Sequence, residues 1–142
     1  MVWDELDQAA AVWSLPGART KNGKPHDVPL SPQALDIVAR RPEILDRPYL
    51  FGEGTGPFSG FSKAKRALDE RSGVTGWRLH DLRRTGSTLM GDVLKVQPHV
   101  VEAILNHISG SKASVAGIYN KSIYATEKRD ALTLWGDYVA RL

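Results

Sequence analysis

The sequence predicts a mainly α-helical domain with one small antiparallel β-sheet near its N-terminus, an α+β chain. Apolar residues recur at helical spacing in several segments after Ser31, and strand-like segments occur only before it. A length of 142 residues, 42% hydrophobic and 25% charged, suits a single domain with its own core. No internal repeat, low-complexity tract or flexible linker divides the chain.

Residues 10–13 and 26–30 read as two short strands joined by residues 16–25, whose Asn22-Gly23 pair signals a turn. The result is a basic hairpin carrying Lys21 and Lys24. Ser31-Pro32 then offers a capping hydroxyl and a proline preset for the first helical position, with Leu35 and Val38 as a short apolar stripe. Gly52, Gly54, Gly56, Pro57 and Gly60 form a loop. It ends in no Gly-Lys-Ser/Thr and follows no clear buried strand, which argues against a nucleotide-binding loop.

From Ser62 a helix carries Ala64, Ala67 and Leu68 on one face and Lys63, Lys65 and Arg66 on the other, and Gly73 and Gly76 end it. The next helix begins near Leu79. Leu82, Leu89 and Val93 continue its apolar face, while His80, Arg83 and Ser87 share a neighbouring one. Pro98 opens a helix with Val101, Ile104, Leu105 and Ile108 as its stripe; Gly110 ends it, with His107 in the last turn. A short segment bearing Tyr119 follows. Thr126 caps a final helix whose Ala131, Leu132, Trp135, Tyr138, Val139 and Leu142 make one broad apolar face.

Zero cysteines exclude disulfides, thiol catalysis and thiolate metal sites, and four scattered histidines leave little for a metal cluster. No apolar run approaches the roughly 20 residues that cross a bilayer. The acidic start, from Met1 to Asp7, is unlike a signal peptide, so the expected location is the cytoplasm. Net charge is +3, yet residues 61–84 alone carry +4: Lys63, Lys65, Arg66, Arg71, Arg78, Arg83 and Arg84 against Asp69, Glu70 and Asp81. Such a stretch suits either phosphate contact or a solvated helix face.

Between His80 and Tyr119 stand, in order, a His-Asp-Leu-Arg-Arg block, a Leu-Asn-His block and a lone tyrosine. These groups suit attack on a phosphodiester without a metal or other cofactor. A transferring phosphoryl group needs fixed cations and donors for its charge, a positioned nucleophile and a proton source for the leaving oxygen. Arg83 can grip two phosphate oxygens through its planar fork. His80 can accept a proton or donate to a phosphate oxygen, and His107 can donate to a nonbridging oxygen. Each also has a plain alternative: a surface ion pair for Arg83, a turn-capping histidine for His80, a helix-end histidine favoured by the dipole for His107, and a packed aromatic for Tyr119.

The order of these blocks resembles the tyrosine recombinases, or phage integrases, of the prophage and genomic-island type, over nearly the whole chain. Residues 20–31, Thr-Lys-Asn-Gly-Lys-Pro-His-Asp-Val-Pro-Leu-Ser, are similar to that family's catalytic-lysine hairpin, and residues 79–85 to its His-x-x-Arg box. Leu105-Asn106-His107 and Val115-Ala116-Gly117-Ile118-Tyr119-Asn120 resemble its last two blocks.

The resemblance implies a catalytic-core fold that cleaves and rejoins double-stranded DNA through a 3′-phosphotyrosyl link. Tyr119 would be the nucleophile, with Tyr124 its alternative; Lys21 would be the general acid for the 5′-oxygen, with Lys24 as runner-up. Lys24, Lys63, Lys65, Arg66 and Arg84 would contact DNA. The intact protein would act as a homo-oligomer, a tetramer on DNA, with the C-terminal helix docked either on its own protomer or on a neighbour. The family also places an arginine on a helix before a Trp-Asp-x-x-Asp strand, whereas here Val2-Trp3-Asp4-Glu5-Leu6-Asp7 opens the sequence and Arg19 is its first arginine. The expectation is therefore a catalytic domain cut just downstream of that arginine, lacking the family's further DNA-binding domains and poorly active alone. A type IB topoisomerase-like enzyme, an inert DNA-binding or assembly module and, more distantly, an RNA phosphodiesterase remain alternatives.

Overall fold

The computed structural model describes residues 1–107 and 124–142. A 3-10 turn at Trp3–Glu5 leads into β1 (Leu6–Asp7), β2 (Val12–Leu15), a second 3-10 turn at Gly17–Arg19 and β3 (His26–Pro29). The helices α1 (Pro32–Ala39), α2 (Phe61–Ser72), α3 (Leu79–Asp92), α4 (Pro98–Ile104) and α5 (Ala125–Val139) follow. The sheet is antiparallel in the order β1-β2-β3, with Trp13 opposite Leu6 on one side and Val28 on the other. This is the mainly helical architecture with a small N-terminal sheet that the sequence predicts. Among the described residues no helix is long and apolar enough to cross a membrane.

The first hairpin strand starts later than expected. Asp7 Oδ1 accepts from Ala10 N at 2.8 Å, and Ala11 takes a φ of 51°, so both alanines belong to a turn and the strand begins at Val12. At α1 the expectation holds in detail: Ser31 Oγ accepts from Ala34 N at 3.2 Å and Pro32 opens the helix. Helix α2 stops at Gly73, whose φ of 68° is the left-handed conformation that suits glycine.

Two helices turn different faces inward from those their apolar residues predict. On α2, Leu68 is exposed, whereas Lys65 and Asp69 pair at 2.6 Å and the Lys65 ammonium lies 4.6 Å from the Trp77 ring centroid. A cation over an indole face holds that edge of the helix. On α3, Leu82 and Val93 are exposed, and Gly86 and Met90 are buried instead. A Cβ at Gly86 would lie 3.6 Å from the Trp135 ring, an ordinary packing distance, so this edge of α3 sits against α5.

Helix α5 packs in cis against α1, α3, α4 and β3, and Val38, Met90, Val100, Val101 and Ala131 form the core around it. Its N-cap is Tyr124 rather than Thr126, and Val139 and Leu142 of the expected apolar face are exposed. Instead the buried Lys128 points inward and donates to the Asp27 carbonyl, and burial pushes its pKa down. Gly136 crosses the start of α1 so closely that a Cβ there would lie 2.7 Å from Ser31 Oγ.

Candidate active site

Helix α4 is anchored by Val100 and Val101 and ends sooner than the sequence suggests. Asn106 adopts a φ of 53°, its N–H donates to Ala103 O at 3.3 Å, and His107 N–H donates to Glu102 O at 3.0 Å. These paired bonds form a Schellman cap, with asparagine as the left-handed residue that glycine more often supplies. His107 therefore stands just past the helix rather than in its last turn, and the expected continuation to Ile108 and Gly110 lies outside the described residues. The cap leaves the carbonyls of Ile104, Leu105 and Asn106 at the negative end of the helix dipole, where donors are favoured.

Each of these carbonyls takes a donor from a different part of the chain. Arg83 Nη2, from α3, donates to Leu105 O. His26 Nε2, from β3, lies 3.1 Å from Ile104 O. Asn22 Nδ2, from the hairpin loop, lies 3.0 Å from Asn106 O and 2.9 Å from Asn106 Oδ1. Burial, then the nearby Lys128 charge, lowers the His26 pKa, and Arg83 adds to the effect. The imidazole is thus neutral near pH 7, and because a carbonyl can only accept, its proton sits on Nε2.

The hairpin loop is closed from within. Thr20 Oγ1 donates to Lys24 O at 2.7 Å, and Lys24 N–H donates to Asn22 Oδ1 at 3.0 Å. A Cβ at Gly17 would lie 2.3 Å from Gly23 O, so the close approach of the two sides of the loop requires glycine there.

Lys21, His80, Arg83 and His107 all line one cleft of about 1080 Å³, together with Asn22 and Asn106. His80 and Arg83 share a face at the start of α3, which Asp81 Oδ2 fixes by accepting from Arg78 N at 2.9 Å. His107 Nδ1 lies 3.5 Å from Glu102 Oε1. Tyr119 lies outside the described residues. Tyr124 stands at the start of α5, its ring centroid 4.9 Å from that of His99.

Of the candidate DNA contacts, Lys24 is exposed on the hairpin loop, and Arg84 is exposed on α3 with Asp81 3.5 Å away. Lys63, Lys65 and Arg66 lie on α2 and do not line the cleft. Lys63 borders a separate cavity of about 720 Å³ with Arg41 and Arg47, while Lys65 is committed to Asp69 and Trp77. The sequence reading missed Asn22, His26 and Asn106 as parts of the site. Only Asn106 had a local signal, an asparagine placed to cap an apolar helical stripe.

No protein-family profile matches the chain, and no solved structure matches it. Curated relatives do. The chain is 34% identical over 140 residues to Prophage integrase IntA of Escherichia coli K12, covering 96% of this chain and 33% of that protein. It is 26% identical to Prophage integrase IntZ of the same strain, with 96% of this chain and 34% of that protein covered. Against an Integrase of Shigella phage Sf6 the identity is 25%, over 98% of this chain and 36% of that protein. The chain thus spans about a third of the length of the curated relatives it matches. Along almost every residue it has, this chain is similar to prophage integrases, which supports reading it as a fragment of a phage integrase.

Proposed function

We propose that the chain is the catalytic portion of a longer tyrosine recombinase, which cuts and rejoins double-stranded DNA through a 3′-phosphotyrosyl intermediate. The cleft carries this proposal: Lys21, His80, Arg83 and His107 come from three distant segments and line one wall-to-wall space. The Tyr119 phenol attacks the scissile phosphorus. Its proton passes to His80, while Arg83 and His107 donate to the nonbridging oxygens, where negative charge grows. Lys21 protonates the departing 5′-oxygen as the P–O5′ bond breaks. Rejoining is the reverse: a 5′-hydroxyl from another strand attacks the phosphotyrosine and the phenol leaves. Bond energy is retained in the phosphotyrosine, so religation calls on no nucleotide cofactor.

Tyr119 is assigned from its Val-Ala-Gly-Ile context and the family resemblance. A phenol with a pKa near 10 needs cations and a base at hand to react at neutral pH, and the cleft residues supply both kinds of group. The upstream arginine of the family's catalytic set would come from the remainder of a protein of the relatives' length. Action as a tetramer on DNA in the cytoplasm belongs to the same proposal.

The test uses the intact integrase carrying this segment and a DNA substrate nicked beside the attachment site, which traps the covalent product. A protein–DNA adduct on a denaturing gel, mapped by mass spectrometry to Tyr119, is the expected result. Specific DNA binding with no adduct would instead favour an inert binding or assembly module.

A further inference from the structure

The loop that carries Lys21 is joined across the cleft to the cap of α4 by the residue next to it. Asn22 uses both ends of its carboxamide: Nδ2 reaches Asn106 O and Oδ1 at 3.0 and 2.9 Å, and Oδ1 accepts from Lys24 N at 3.0 Å. Lys21, Gly23, Lys24 and Pro25 are exposed, so the loop tip has little apolar burial to hold it. Loop tips of that kind open easily. We propose that Asn22 is a positioning residue that latches the hairpin to Asn106 and so holds the Lys21 ammonium where it protonates the leaving 5′-oxygen. This rests on reading the cleft as a recombinase site.

The geometry suits that role. Asn22 adjoins Lys21 and Asn106 adjoins His107, so one amide contact, 84 residues apart in sequence, ties together the backbones beside two cleft groups. The Schellman cap makes Asn106 a rigid anchor, because its own N–H is already committed to Ala103 O. The strand beyond the loop has a separate attachment through His26 on Ile104 O, so loss of Asn22 loosens the tip without detaching β3.

The proposal separates from a general structural role by the chemistry of the leaving group. A DNA substrate with sulfur in place of the bridging 5′-oxygen departs as a thiolate and needs no proton, so it bypasses Lys21. In the intact integrase, single-turnover cleavage by Asn22→Ala is expected to fall about 100-fold on ordinary DNA, the order of loss that misplacing a catalytic group by about 1 Å produces. The same variant is expected to cleave the sulfur substrate about as fast as the parent protein. Asn22→Asp is nearly isosteric and still accepts from Lys24 N–H and, at 3.4 Å, from Asn106 Nδ2, but it cannot donate to Asn106 O; it should show the same split with a smaller loss on ordinary DNA. Equal losses on both substrates, or no loss on ordinary DNA, would overturn the latch. A parent protein that forms no adduct on either substrate would sink the recombinase reading itself, a result distinct from either of those.

Discussion

The guanidinium of Arg83 is bonded to the main-chain carbonyl of Leu105, which ties α3 to the negative end of α4. An arginine has five N–H donors in a rigid fork, so one bond to a carbonyl orients the group and leaves others for a phosphate. Lysine cannot do both, because its charge sits at a single point on a flexible stem. Arg83→Lys in the intact integrase is expected to lower adduct formation by roughly 10²- to 10³-fold, the scale of losing one transition-state donor. DNA affinity, measured at fixed salt, is expected to change only a few-fold.

On the proposed recombinase reading, Tyr119→Phe is expected to abolish the covalent adduct and leave DNA affinity unchanged, since only the phenol oxygen is removed. The 142-residue chain alone carries no arginine before Arg19. If the longer recombinase proposed above supplies an upstream arginine, adduct formation by these 142 residues alone should run roughly 10² to 10³ below that of the longer protein. Comparable rates from the two would show that no upstream arginine is needed.

Gly136→Ala tests how α5 docks. The added methyl would meet Gln33 Oε1 first and lie 2.7 and 2.9 Å from Ser31 Oγ and Cβ, and that hydroxyl also caps α1. Overpacking of this kind costs about 1–3 kcal/mol. A lowered urea midpoint with an unchanged slope is the expected outcome, and an unchanged midpoint would mean that α5 packs elsewhere in solution.

Stability should fall as the solution is acidified below pH 6.5, the ordinary value for the His26 imidazole. Burial and then the Lys128 charge hold the folded pKa lower, so between the two values the unfolded chain takes up a proton that the folded chain refuses. The associated stability is complete above the unfolded value and is lost downward from it. His26→Gln can still donate to Ile104 O and does not titrate, so melting curves across pH 5–8 should flatten. Glu5 extends the loss to lower pH. Burial works to raise its pKa, but hydrogen bonds from Trp13 and Arg19 outweigh that and hold it below 4.5. Its contribution is present above that value and disappears as the pH falls through the folded pKa.

Asn106 tolerates its φ of 53° because its short polar side chain is at ease in the left-handed region. Asn106→Gly should therefore keep the backbone cap, losing only the side-chain bonds to Asn22. Asn106→Val puts a branched side chain there and should cost about 1–2 kcal/mol, as thermal unfolding would show. Equal melting temperatures for the two variants would argue against the Schellman cap.

Local rules made much of the fold legible. Ser31-Pro32 gave the start of α1, Gly73 the end of α2 and Asn22-Gly23 the hairpin turn, because each reports a backbone need met within a few residues. Helix faces were harder. Leu82 and Leu68 are exposed, while Gly86 lies against Trp135 and the Lys65 ammonium over Trp77, partners that no spacing along one helix reveals.

The sequence alone determined which chemistry-bearing groups are present and in what order, since residue type and motif spacing are written along the chain. Tertiary structure decided how Lys21, His80, Arg83 and His107 come to share a cleft, and it introduced Asn22, His26 and Asn106 as the side chains that join its walls. The physical reason lies at the end of α4. A helix must leave its last carbonyls without partners inside itself. Which distant donors answer Ile104, Leu105 and Asn106 is settled only when the chain packs.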